Sequence, residues 1–370
     1  MTEYYVYSLG EFYDAVNKIA LAEKGIEERK ELFPAFWYRG FAHNHYTLLP
    51  SLYRQKTFKY ADSIVYNQVK QMEDSRYQHY KSRAFHIVNS NPDLESEWME
   101  IYQHYLGKTR MLDWTESART ALSFALEAYL NTKEDLHIER ERETLTPVVA
   151  VINPHRLNEK AYQFIADSEG LIEKAVSDLF PAVSERTLLV KKMMENMADN
   201  KDIFFSENSE DQEMQGIVSL CVLERMRDMA GVGLKERIWN FEFNPFYYLV
   251  LRYYTDALPI SVKSEKEKIL PPLAILHPYH SDRIRKQRGV FTVFPNYELD
   301  EPLVELLKKR KVDVREMERQ SCINSLISKI RILNPRRVAK ELLYSGERRT
   351  ELYPDLDVYA EVMETSKFPV

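Results

Sequence analysis

Glycine is scarce in this chain, and what little there is has the wrong spacing for several common sites. Ten glycines are spread over 370 residues. None falls in a GxGxxG, GxxxxGK[ST] or GxSxG pattern, which leaves no candidate for a glycine-rich phosphate loop or a nucleophile elbow. Cysteine is scarcer still. Cys221 and Cys322 are far apart and outside any CxxC or Cys/His spacing, so they read as buried thiols in a reducing compartment. His43 and His45 flank a single residue, but no further ligands follow at a metal-binding spacing, and no metal is expected. No stretch approaches the roughly 18 apolar residues of a membrane helix. The opening MTEYYVYSLGEF lacks the basic and apolar regions of a secretory leader. The expectation is a cytoplasmic protein with no membrane partner. Charge of one sign is missing too: 51 basic residues stand against 57 acidic ones, for a net charge of −6. That removes the simple electrostatic case for coating nucleic acid. With neither an acidic metal cluster nor a basic stripe, a nuclease is disfavoured.

What is present is a folded protein rich in rings, with 24 tyrosines, 17 phenylalanines and four tryptophans. YYVYSL alternates as a strand, and Glu11 to Lys24 follows with Phe12, Val16, Ile19 and Ala20 on one helical face. A short strand is expected at Ala35 to Tyr38, an extended or turn segment at LLPSLYR, and helices at Ala61 to Val88 and Leu94 to Tyr105. Thr109 to Thr115 reads as a strand that feeds a helix from Ser117 to Tyr129. The apolar run of Pro147 to Asn153 reads as a central strand. Residues after His155 are mostly helical in pattern, and Met193, Met194, Met197, Met226 and Met229 read as core filler. Later strands are expected at Ile238 to Phe243, Leu273 to His277, Val290 to Phe294 and Lys329 to Leu333, with helices at Arg337 to Tyr344 and from Val358. The pattern is α+β, a mixed and mainly antiparallel sheet flanked by helices. One domain is expected, its core built from residues 1–157 and 269–370, with a helical insertion over 158–268.

Two blocks stand out. The first is Trp37-Tyr38-Arg39-Gly40 followed by Leu48-Leu49-Pro50-Ser51-Leu52-Tyr53-Arg54. The second is Gln103-His104-Tyr105, then Thr109-Arg110-Met111-Leu112-Asp113-Trp114-Thr115, then Ala121-Leu122-Ser123-Phe124-Ala125. In each, polar residues able to orient a ligand interrupt an apolar strand. A purely structural reading is open for each of them: Arg110 and Asp113 could pair across a strand end, and Thr115 could cap the following helix together with Glu116 or Ser117.

Taken together, the blocks resemble the FRG-domain family, named for an aromatic-Arg-Gly motif followed by Leu-x-Pro-Ser-Leu-x-Arg. Further on, that family has Gln-His-Tyr-Gly-x-Pro-Thr-Arg-x-Leu-Asp-Trp-Thr running into a helix with Ala-Leu-x-Phe-Ala. Arg283 with Gln287-Arg288-Gly289-Val290-Phe291, and Leu352-Tyr353-Pro354-Asp355-Leu356-Asp357, extend the resemblance. The chain departs from it at Phe41 and Ala42, at Leu106-Gly107-Lys108, and at Ala118.

A weaker resemblance is to ADP-ribosyltransferases of the arginine-serine-glutamate type. It implies an ADP-ribosyltransferase-like sheet and NAD as substrate or ligand. Arg39 would hold the phosphates through its planar fork of donors, and Gly40 would let the backbone approach the ligand. Thr115 or Ser117 would fill the second motif position. The late carboxylate that would stabilise the ribose cation is replaced by Gln287, with Asp113 as the substitute. Catalytic roles therefore fall to Arg39, Asp113, Thr115 and Gln287. Ligand binding falls to Tyr38, Gly40, Arg54, His104, Tyr105, Thr109, Arg110, Trp114 and Ser117. The function implied is transfer or cleavage of a nucleotide by an effector of the toxin or phage-defence kind, acting on a protein or nucleic-acid target left open. The alternative is a catalytically silent module that senses a nucleotide and controls a partner.

Overall fold

The computed structural model describes residues 2–22, 36–43, 48, 50–54, 75–84, 95–105, 107–130, 146–154, 156–158, 160–161, 260–262, 271–275, 282–294, 297–299, 326–346 and 353. The expected strand at Ile238 to Phe243, the helix from Val358, Met193, Met194, Met197, Met226 and Met229, both cysteines, His45 and nearly all of the 158–268 stretch lie outside these residues.

The apolar run that reads as a central strand takes that place. β4 (Val148–Ile152) is buried at every position. It pairs antiparallel along its whole length with β2 (Trp37–Phe41) on one side and β9 (Ile327–Ile332) on the other. From β9 the sheet continues to the edge strand β1 (Thr2–Val6), the one parallel pair. From β2 it continues through β3 (Met111–Thr115) and β7 (Gly289–Val293) to β6 (Leu273–Ile275), giving a seven-stranded order β1-β9-β4-β2-β3-β7-β6. A separate parallel pair joins β5 (Ile260–Val262) to β8 (Tyr297–Leu299). With helices packed on it, the sheet is mixed and the fold is α+β.

Helices α1 (Leu9–Ala22), α4 (Ala118–Ala125) and α7 (Pro335–Tyr344) cover one face of the sheet. Their apolar stripes (Phe12, Ala15 and Ile19; Ala121, Leu122 and Ala125; Val338, Ala339 and Leu342) meet Tyr38, Val149, Val151, Ile330 and Ile332 in one core. Further helices span 75–84 (α2), Glu95–His104 (α3), Glu127–Leu130 (α5) and Asp282–Gln287 (α6).

Two differences from expectation exceed a shift of one or two residues at an element's end. β2 does not stop at Tyr38 but runs on through Arg39 and Gly40 to Phe41, because β4 offers it a partner for every residue. The helix expected over Ser117 to Tyr129 is two helices, parted where Leu126 leaves helical geometry (φ −99°, ψ 6°). Tyr129 donates instead to the Leu126 carbonyl at 2.7 Å.

The free edge of β6 is covered by a side chain. Asn158, fully buried, donates its amide to the Ala274 carbonyl at 3.0 Å and accepts from the Ala274 N–H at 2.7 Å. It pairs with the backbone as a further strand would.

Carboxylates secure the α1 end. Ser8 Oγ accepts from Glu11 N at 3.2 Å, while the Glu11 carboxylate accepts from Tyr7 N at 2.8 Å, a variant of the capping box. From α7, Glu341 accepts from Leu9 N at 2.6 Å and from Arg337 Nε at 2.7 Å. The Leu9 N–H first, and the Arg337 guanidinium with it, hold the Glu341 carboxyl below its usual value. A carboxylate depressed in the folded state stabilises the fold above its unfolded pKa, and that contribution disappears as pH falls through the folded value. Glu341→Gln is therefore expected to lower the melting temperature by about 2–4 °C near neutral pH. In thermal scans across pH, the gap from the wild type should close once the solution is acidic enough to protonate Glu341.

Candidate functional site

β2 and β3 are neighbours that barely pair. Their register contains a single bridge, Tyr38 with Thr115, whereas β3 pairs with β7 at all five of its positions. Beyond that bridge the two strands part, and the Asp113 carbonyl on the β2 side is left without a strand partner. The Arg39 guanidinium fills the gap. Its Nη1 donates to the Asp113 backbone carbonyl and lies 3.3 Å from the Asp113 carboxylate. On the same face of β2, two residues on, the Phe41 ring lies 5.5 Å from the guanidinium carbon.

A cavity of about 330 Å³ opens at this splay, near the lower end of the range typical of small-molecule sites. β2 contributes Tyr38, Arg39 and Gly40, and β3 contributes Asp113, Trp114 and Thr115. Gln103 from α3 and Phe124 from α4 join them. The α6–β7 hairpin adds Arg283, Ile284, Gln287, Gly289 and Phe291. The four residues given catalytic roles by the sequence are thus brought together from segments up to about 250 positions apart, as the numbers of Arg39 and Gln287 show.

Asp113 is the best oriented of them. Gln103 Nε2 donates to one carboxylate oxygen and Arg39 reaches the other. Gln103 is in turn turned the right way by Thr109, whose hydroxyl donates to the Gln103 carbonyl oxygen. The Thr109 oxygen also accepts from Met111 N at 3.1 Å. The chain Thr109, Gln103, Asp113, Arg39 therefore fixes the carboxylate from both sides while leaving its side chain 55% exposed toward the cavity. Arg39 itself is only 15% exposed, and its buried Nε has no hydrogen-bond partner among the described residues. Burial pushes the Tyr38 hydroxyl up to about 12, so it remains neutral at any physiological pH.

Several sequence readings change. Arg110 does not pair with Asp113. It is buried, 2% exposed, and donates to the Phe294 carbonyl at 3.2 Å while its own carbonyl accepts from Phe294 N at 3.0 Å. That stitches the end of β3 to the end of β7. Thr109 is likewise buried beneath the site rather than in it, and Tyr105, 66% exposed, does not line the cavity. The cap of α4 is Ser117, whose Oγ accepts from Thr120 N at 3.2 Å; it is not a cavity residue. Thr115 is committed elsewhere: its hydroxyl donates to the Gln287 carbonyl at 2.6 Å and accepts from Ser117 N at 3.0 Å. Thr115 thereby ties β3 to the α6–β7 turn, where Arg288 takes a left-handed φ of 47°. The side chains of Arg54 and His104 lie outside the described ones.

Gly40 has a different reason from the one its motif suggests. A Cβ there would stand 1.9 Å from the Ala121 carbonyl oxygen and 2.7 Å from Ala125 N. The close approach of helix α4 is what requires the glycine.

The sequence reading passed over Gln103 and Arg283 as site residues, although both stand inside segments it singled out. Gln103 precedes His104-Tyr105, and Arg283 precedes the Gln287 segment. Spacing alone gives no sign that a helix residue and a strand carboxylate will meet. Among the described residues, no group of three His, Cys, Asp or Glu gathers as a metal site, and no helix is long and apolar enough to cross a membrane.

Comparison of the chain with curated proteins and with solved structures returned no match. A family model, FRG domain, matches residues 34–134. The match takes in β2, α3, β3 and α4, and with them Arg39, Gln103, Asp113 and Phe124; the later segments around Arg283 and Tyr353 fall outside it. Residues 34–134 thus carry an FRG domain, and this segment builds the β2–β3 side of the cavity.

Proposed function

We propose that the cavity takes a nucleotide of the NAD type and that the protein cleaves or transfers it in the manner of an ADP-ribosyltransferase, within a sheet related to that of such enzymes. One observation carries the reading: an oriented carboxylate, Asp113, and a semi-buried arginine, Arg39, face the same cavity beside a neutral tyrosine hydroxyl. Arginine grips phosphate oxygens in a planar fork, and Arg39 keeps a buried Nε without a partner among the described residues. Breaking the bond between nicotinamide and ribose leaves positive charge on the sugar. A carboxylate held in place beforehand stabilises that charge without having to reorganise. Asp113 is the one carboxylate among the described residues lining the cavity. Trp114, Phe124 and Phe291 provide the apolar surface that a base or nicotinamide ring needs. An enzyme that consumes a nucleotide suits an effector of the toxin or phage-defence kind.

The test is nicotinamide release from NAD by the purified chain. Arg39→Ala is expected to raise the apparent Kd for NAD by about 10-fold or more, the worth of a charge-assisted hydrogen bond, and to lower turnover with it. Full turnover by Arg39→Ala would sink the assignment.

A second reading has its own support. At the place where the arginine-serine-glutamate pattern puts its late acid, this chain has Gln287, and the charge of Asp113 is already opposed by Arg39. Both favour a module that binds the nucleotide without consuming it. A ligand that raises the melting temperature yet is recovered intact would support this second reading.

A further inference from the structure

The charges around the cavity do not cancel. Among the described residues that line it stand two arginines, Arg39 and Arg283, and one carboxylate, Asp113. Asp113 faces Arg39 at 3.3 Å, so the net positive charge rests on Arg283. That residue lies in α6, the helix that feeds β7, the other neighbour of β3. The adjacent acid, Asp282, is occupied by Arg285 at 2.7 Å. Arg283 makes no hydrogen bond or ion pair to the described residues; its guanidinium carbon lies 4.7 Å from the centroid of the Tyr353 ring. Stacking on a ring occupies one face of a guanidinium and leaves the N–H groups in its plane available. The Tyr353 ring is itself set edge-on to Phe124, 6.2 Å between centroids, and Phe124 lines the cavity. Tyr353 thus braces two lining side chains from behind.

We infer that Arg283, braced by Tyr353, is the residue that takes an anionic phosphate group of the ligand in this cavity. Arg39 both holds Asp113 and offers a second contact to the same phosphate group, weaker than that of Arg283 because its charge is already opposed. The ligand class is a phosphate ester or diphosphate. This deepens the nucleotide reading and rests on it for the rest of the molecule, the ribose and base that would follow the phosphate. Guanidinium binding to phosphate oxygens is charge-assisted and bidentate. Where the described lining residues hold a single uncompensated cation, removing that cation costs more than removing one already paired.

The experiment is calorimetric titration of the full chain, separately with inorganic pyrophosphate and with NAD, for the wild type and Arg283→Ala, alongside unliganded melting temperatures. Arg283→Ala is expected to weaken both probes by about 10- to 100-fold, the worth of a hydrogen bond to a charged group, and to flatten the salt dependence of pyrophosphate binding. The unliganded melting temperature should hardly move. If the alanine variant melts early, Arg283→Gln, which keeps a polar stem over Tyr353 without the charge, is titrated instead and read the same way. Wild-type affinity for both probes in the charge-free variant overturns the inference while leaving a nucleotide site in place. Pyrophosphate binding that needs Arg283, with no binding of NAD to the wild type, supports the inference and removes the nucleotide reading. Failure of both probes to bind the wild type overturns both.

Discussion

A Gly40→Ala variant is expected to lose about 3 kcal/mol or more of stability, at or beyond the upper end of the cost of overpacking, and to melt about 6–12 °C lower or collect in the insoluble fraction. The added methyl would fall 1.9 Å from the Ala121 carbonyl oxygen and 2.7 Å from Ala125 N. Both obstacles are main chain, so no side chain can swing aside, and α4 must lift off β2. Lifting it opens the best-buried part of the core, where Ala121, Leu122 and Ala125 are inaccessible to solvent. Close packing of this kind transmits the displacement rather than absorbing it. Phe124 and Ser117 ride on the same helix, so the cavity would be disturbed along with the core. Gly10→Ala is the control: a Cβ there would approach nothing closer than Ser8 Oγ at 4.0 Å, and that variant should melt no lower than the wild type. Thermal denaturation of the two variants side by side checks the prediction. A Gly40→Ala protein as stable as the Gly10→Ala one would show that α4 does not sit on β2 as described.

The second large effect concerns Asp113→Asn. If the protein cleaves NAD, this variant should release nicotinamide about 100-fold or more slowly, the scale seen when one preorganised electrostatic contact to a transition state is removed. Binding should persist. Asparagine keeps the shape of the carboxylate, and Gln103 can turn its amide to match, because the Thr109 hydroxyl accepts as readily as it donates. Fold stability should change little, since an ion pair with one partner 55% exposed contributes about 0–1 kcal/mol. Single-turnover measurement of nicotinamide release, with NAD affinity determined in parallel, separates the cases. A slow variant with intact affinity marks Asp113 as the group that stabilises the ribose cation. Unchanged turnover would remove Asp113 from the chemistry. No turnover in either protein, with NAD bound by both, selects the sensing module.

These two predictions differ in how much of their basis could be read in advance. Asp113 and Arg39 were legible as members of one site because each interrupts an apolar strand with a charge, and because their motifs occur together in the FRG family. Their contact was not legible. It depends on β2 and β3 parting after one bridge, which leaves the Asp113 carbonyl for the Arg39 guanidinium to satisfy. Arg110 carries the same kind of signal as Arg39, a cation at the end of an apolar strand. Yet it turns inward to serve the Phe294 carbonyl. Nothing in the local sequence separates the two. Which carbonyl each arginine reaches depends on what the neighbouring strand leaves unpaired, and those partners lie 74 and 184 residues away.

The glycine teaches the same lesson from the other direction. Next to an arginine, Gly40 invites the thought that a ligand comes close to the backbone. What comes close is α4, whose small residues Ala121 and Ala125 lie fully buried against β2.

By itself, the sequence determined the elements whose patterns are local. These include the wholly apolar β4, the amphipathic α1 and α7, the strand-to-helix junction at Thr115 and Ser117, the α+β class, and the presence of an FRG domain. Burial and periodicity act over a few residues, so a few residues suffice to read them. Only the tertiary structure decided which polar groups share a cavity, which arginine is paired and which is not, and why position 40 has no side chain. Those are properties of distances between segments remote in sequence, set when the sheet assembles in the order β1-β9-β4-β2-β3-β7-β6 and each buried donor and acceptor takes the partner that the assembled sheet leaves it.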